Sequence, residues 1–129
     1  MSGNGSYEKN LFFIGALWNW SAAILFFVLS LLNKQWLAYF HQIPQTMLWY
    51  YGYLGAIFIF GIGYYWVSKD VVRNRDIIKM GIIGKTMVLL LLLVYMIKGE
   101  ITLLIVPAGC VDLIITILYA RVLIQISKL

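Results

Sequence analysis

Charge is scarce in this chain, and so are the side chains from which soluble enzymes build their chemistry. Only 12% of its 129 residues are charged, against about a quarter in a soluble domain. The single cysteine, Cys110, excludes an intramolecular disulfide and any CxxC redox pair within the chain. The single histidine, His41, has no second histidine with which to hold a metal or a haem, so neither metal nor cofactor is expected. No nucleophile can be matched with a base, which leaves no catalytic residue to assign. The alternation of apolar and polar residues that marks barrel strands is missing too, and a transmembrane β-barrel is excluded with it.

What the chain has instead is hydrocarbon. Hydrophobic residues make up 63% of it, and the mean hydropathy is +0.89. Four apolar runs, 11–32, 47–68, 77–97 and 102–124, each supply the roughly 20 helical residues that cross a bilayer core. Helices satisfy their own backbone groups in lipid, so the expected fold is all-α: an integral membrane bundle of four transmembrane helices in one domain over 1–129. The first run is longer than a signal-peptide core and lacks a small-residue cleavage site, so it reads as the first span.

The basic residues give an orientation. Lys9, Lys69, Arg73, Arg75, Lys79, Arg121 and Lys128 fall on the side of the termini, and only Lys34 and Lys98 on the other. The positive-inside rule then places both termini in the cytoplasm, in a multi-pass protein of the cytoplasmic (inner) membrane. The net charge of +5 is a topology signal on this reading, and no nucleic-acid partner is expected. So strong a bias also argues against the dual insertion of a small antiparallel transporter.

The outer link carries Trp36, Tyr39, Phe40, Trp49, Tyr50, Tyr51 and Tyr53, rings that favour the headgroup level. It reads as a segment along the membrane surface, or as a lid over a pocket, with the second helix starting near Thr46 after Pro44. Small residues mark where helices approach: Gly15, Ala16, Asn19, Ala22 and Ala23 in the first, Gly52, Gly55, Ala56 and Gly63 in the second, Gly81 and Gly84 in the third, Ala108 and Gly109 in the fourth. The bulky stretch 88–94 is suited to lipid. Pro107 lies inside the fourth run, where it is expected to remove a hydrogen bond and kink the helix.

Lys85 interrupts an otherwise apolar third run. At about 1.5 Å per residue it lies roughly 12 Å inside that run. Asp112 in the fourth run and Asn19 in the first reach a similar depth, and Tyr64 or Tyr65 of the second can reach the same layer. The expected intramembrane polar layer is therefore Lys85, Asp112, Asn19 and Tyr64, with a Lys85–Asp112 ion pair at its centre. Lys85 snorkelling to the inner headgroups, a purely structural pair, and a wet site for a proton, ion or headgroup all remain open.

The other candidates are plainer. His41 reads as an interfacial side chain, Cys110 as a small buried residue, Glu100 as a solvated turn residue, and 73–76 (RNRD) as a solvated loop that can meet anionic lipid.

The pattern GYYWVSKDVVRNRD…GIIGK…KGE…D…LYARVL from Gly63 onward, with WNW at Trp18–Trp20, resembles a set of uncharacterised bacterial four-helix integral membrane proteins, similar in plan to DoxX-like proteins. The resemblance implies a fold and no activity. Small multidrug transporters share the length and helix count but use a glutamate in the first helix, where this chain has Asn19 and no acid. The expectation is thus a non-enzymatic membrane scaffold or accessory subunit, alone, as a homo-oligomer or in a larger membrane complex, with the lipid bilayer as its surroundings. A small permeation or transport protein using the Lys85–Asp112 pair, and an enzyme acting on a lipid or quinone, are the alternatives.

Overall fold

A computed structural model describes residues 3–129. The chain runs through α1 (Ser6–Asn33), a 3-10 turn (Lys34–Tyr39), α2 (Met47–Lys69), α3 (Arg75–Ile97), a second 3-10 turn (Leu103–Ile105) and α4 (Val106–Ser127). Among the described residues, these four α-helices are each long and apolar enough to cross a membrane.

The helix ends follow from local chemistry. The Thr46 hydroxyl accepts from Leu48 N–H and caps α2. Asn33 ends α1, and its side chain accepts from Gln35 N–H as the chain tightens into the first 3-10 turn. At the end of α3, Gly99 takes φ +75°. Gly99 N–H then reaches Met96 O (3.0 Å) and Glu100 N–H reaches Tyr95 O (2.9 Å). This is the paired closure that a left-handed glycine makes possible after a helix.

Pro107 does not kink α4, contrary to the sequence expectation. The helix begins at Val106, so Pro107 stands in its first turn, where an N–H would have no helical partner and its loss costs little. The start of the fourth apolar run is a 3-10 turn rather than the helix expected from 102.

Large side chains fill the end of the bundle that holds the termini. Phe12, Tyr64, Val67, Val71, Ile78, Tyr119 and Val122 are almost inaccessible there. Phe12 stacks on Tyr119 at 4.3 Å between ring centroids, and Tyr64 meets Tyr119 edge-on at 5.1 Å. Glycines admit these rings: a Cβ at Gly15 would land on the Tyr119 hydroxyl, one at Gly61 on the Trp20 indole, and one at Gly81 on the Tyr64 ring. Gly52 and Gly55 do not take the helix-contact role that the small-residue pattern gave them, because open space surrounds both.

The N-terminal segment is tied to the same end. The Asn4 side chain donates to Asp70 (3.0 Å) and accepts from Val71 N–H (2.7 Å). Asp70 also accepts from Arg73 N–H. That backbone hydrogen bond, then the Asn4 amide, hold the Asp70 carboxyl below its ordinary pKa.

At the opposite end the two long loops are stitched together. His41 and Ile101 form an antiparallel bridge, with Thr102 N–H to Phe40 O at 2.8 Å and Gln42 N–H to Glu100 O at 3.3 Å. Between these closures α1 packs along α2 and α3 along α4, while α2 and α3 meet at fewer places. The result is two hairpins joined at both ends, with a cleft between them. Outside, large apolar side chains such as Leu32, Ile59, Ile83 and Leu90 stand exposed, as surfaces covered by lipid do.

Candidate functional site

One ionic group occupies the middle of the bundle. Lys85 lies ten residues into α3, or about 15 Å at the helical rise, and is buried at 9% exposure. Its Nζ stands 2.5 Å from Asp112 Oδ1 on α4 and 3.2 Å from Asn19 Oδ1 on α1. The amide of Asn19 is oriented by its other end, which donates to Ile57 O on α2 at 3.1 Å. Four helices therefore meet through one lysine, one aspartate and one asparagine.

Two further residues complete the setting. Trp18 Nε1 donates to Asp112 Oδ1 at 3.2 Å, and Thr116 Oγ1 donates back to Asp112 O at 2.7 Å. Successive helical residues point about 100° apart, and the WNW triplet uses this spread. Trp18 reaches α4, Asn19 reaches α2 and α3, and Trp20 donates to Phe58 O on α2 at 3.2 Å. The hydropathy pattern leaves these indoles unassigned; two ring N–H groups flanking a polar residue in an apolar run are the signal for them, since tryptophan N–H groups taken out of water seek acceptors.

Tyr64 contributes differently from its partners in the expected layer. Lys85 Nζ lies 5.7 Å from the centre of its ring, within cation–π range, while its hydroxyl end packs toward Gly81. Tyr65 is turned away, beside Trp20 and the Lys69 ammonium. Pro107 stands outside the group. Cys110 is exposed rather than buried, a correction that follows from its position on the outer face of α4. His41 lies at the loop bridge beside Tyr50, its Nδ1 2.7 Å from Gln42 O. No three His, Cys, Asp or Glu among the described residues come together as a metal site.

The ion pair is not sealed in. It opens on a chamber of about 220 Å³ lined also by Trp18, Ala22, Tyr53, Ile57, Phe60 and Val88. A second chamber of about 210 Å³ shares Trp18, Ala22, Tyr53, Ile57, Val88 and Asp112 with the first and continues to His41, Tyr50 and Ile101 at the loop bridge. Tyr53, Ala56 and Met87 line the first chamber and are themselves exposed, so its mouth lies between α2 and α3. The Asp112 side chain keeps 25% of its surface accessible. Each chamber alone is smaller than the roughly 300–1,000 Å³ of a drug-sized pocket, and the shared lining residues set the two side by side.

Such a group can hold a polar atom at the base of a mostly apolar cleft. Removing one member of a buried pair typically costs about 3–5 kcal/mol, because the other charge is left alone. Neither a protein-family model, nor a curated protein, nor a solved structure matches this chain. The geometry alone therefore carries the functional reading.

Proposed function

We propose that the chain is a multi-pass protein of the cytoplasmic membrane, with both termini in the cytoplasm, that binds a lipid-soluble small molecule in the cleft between its hairpins. The orientation rests on the excess of Lys and Arg beside the termini. The ligand enters from the bilayer between α2 and α3, and its polar end meets Lys85, Asp112 and Asn19. One observation carries this reading: the ion pair lies at the floor of an open, largely apolar chamber instead of inside closed packing. A convergence of few polar groups in an apolar pocket is the usual form of a binding site.

A second reading, a scaffold whose polar group fixes helix register, draws support from the hydrogen bonds that Lys85 makes to two other helices. A permeation path draws none, since Phe12, Tyr64 and Tyr119 fill the space at the termini end. The two supported readings separate in one experiment. Protein extracted from membranes in mild detergent is analysed by native mass spectrometry beside the double variant Lys85→Met/Asp112→Leu. Binding requires a small molecule retained by the wild type and lost from a folded double variant. Both proteins appearing at their bare polypeptide masses, with no bound molecule, leave the scaffold.

A further inference from the structure

The ion pair is electrically complete, yet its hydrogen bonding is not. Lys85 uses two of its three N–H donors on Asp112 Oδ1 and Asn19 Oδ1, and among the described residues no oxygen takes the third. Asp112 receives both Trp18 and Lys85 on Oδ1, so Oδ2 accepts nothing from the described residues, although the side chain lines both chambers. An ammonium offers three donors and a carboxylate has room for about four hydrogen bonds. The third N–H of Lys85, whose Nζ has the Tyr64 ring at 5.7 Å, and Asp112 Oδ2 are thus without an oxygen or N–H partner among the described residues, in a cleft whose walls are otherwise mainly hydrocarbon and aromatic ring.

We infer that the cleft takes a neutral, hydroxyl-bearing amphiphile: an alcohol or phenol on an apolar body, whose O–H donates to Asp112 Oδ2 while its oxygen accepts from Lys85. This rests on the binding function proposed above and adds the chemical class of the ligand. A hydroxyl gives and takes a hydrogen bond through one atom, which matches a donor and an acceptor that are themselves in contact. A carboxylate or phosphate head would be repelled by Asp112, and an ammonium head by Lys85. Either would bring a third charge into an apolar chamber where the two present already cancel. The apolar body extends from this polar end toward the mouth at Tyr53 and Met87.

The test is a head-group series on tails of similar length, added to the protein in lipid nanodiscs: dodecan-1-ol, 4-nonylphenol, dodecanoate and dodecyltrimethylammonium. The readout is the indole N–H resonance of Trp18, assigned by its loss in Trp18→Phe. The alcohol or the phenol is expected to shift this resonance saturably and at least about tenfold more tightly than either ion, as sites built around a hydroxyl discriminate; which of the two binds better identifies the source class. In Asp112→Asn, where Lys85 loses its counter-charge, the preference is expected to turn to dodecanoate. If dodecanoate or the quaternary ammonium binds the wild type as tightly as the hydroxyl probes, the hydroxyl assignment is wrong while the binding function stands. If no probe moves the Trp18 resonance, both are wrong. Should Asp112→Asn fail to fold, the wild-type series decides alone.

Discussion

Trp18 and Lys85 converge on the same oxygen. The indole of one and the ammonium of the other both donate to Asp112 Oδ1, at 3.2 and 2.5 Å, from helices that follow different hairpins. This shared acceptor locks α1, α3 and α4 at one level and leaves the second carboxylate oxygen to the cleft.

The charges should therefore be strongly coupled. Lys85→Met and Asp112→Leu are each expected to destabilise the folded protein, by less than the cost of about 3–5 kcal/mol for a fully buried pair because Asp112 keeps 25% of its side chain accessible, and the double variant by much less than the sum. Reversible unfolding in detergent, arranged as a double-mutant cycle, measures the coupling. Additive effects would mean that the two groups do not meet in solution.

Trp18→Phe removes one charge-assisted donor and keeps an aromatic ring. A loss of about 1.5–3 kcal/mol is expected. In an Asp112→Leu background the same substitution should cost clearly less, because its acceptor has gone. The difference between backgrounds isolates the Trp18–Asp112 bond from the change in ring size.

Glycines on two parts of the bundle should answer differently to alanine. Gly15→Ala and Gly81→Ala place a methyl group against Tyr119 and Tyr64, and overpacking of this kind costs about 1–3 kcal/mol. Gly52→Ala and Gly55→Ala enter open space and should be neutral, or stabilise by up to about 1 kcal/mol through helix propensity. Tyr119→Phe should not destabilise, since its buried hydroxyl lacks a partner among the described residues. Thermal unfolding of the five variants under one condition compares them.

The clasp between Asn4 and Asp70 should depend on pH. The folded-state pKa of Asp70 is lowered by Arg73 N–H and Asn4, so its contribution is complete above the unfolded carboxylate value of about 3.9. It is lost as pH falls through the lower, folded value. Amide hydrogen exchange at Val71 and Arg73 should lose protection over that acidic range, and Asp70→Asn should abolish the pH dependence. Protection that tracks pH equally in Asp70→Asn would place the titrating group elsewhere.

The architecture was legible because hydropathy is a property of runs: four apolar stretches became four helices, and caps at Thr46 and Gly99 set two of their ends. The meeting of Lys85, Asp112 and Asn19 was legible for a related reason, since depth along an antiparallel helix can be counted in residues. Rotation about each helix could not be counted so simply. Gly52, Gly55 and Gly63 fit one packing stripe, yet Gly63 comes close to Ile77 while Gly52 and Gly55 meet open space, and Gly61, which lies off that stripe, is the one the Trp20 indole covers. The same ambiguity hid the exposed face of Cys110. Pro107 was misread because an apolar run does not distinguish a 3-10 turn from the first turn of a helix. The place and shape of the cleft were illegible, although a pocket was among the readings, for they depend on how the hairpins meet at the Phe12–Tyr64–Tyr119 cluster at one end and at the His41–Ile101 bridge at the other.

A crystal structure grown in a lipidic mesophase would bear most directly on the binding site. The expected result is elongated density entering between α2 and α3, with its polar end about 2.6–3.2 Å from Asp112 Oδ2. A cleft closed by contact between Tyr53 and Met87, with the Lys85–Asp112 pair covered by packed side chains, would contradict it.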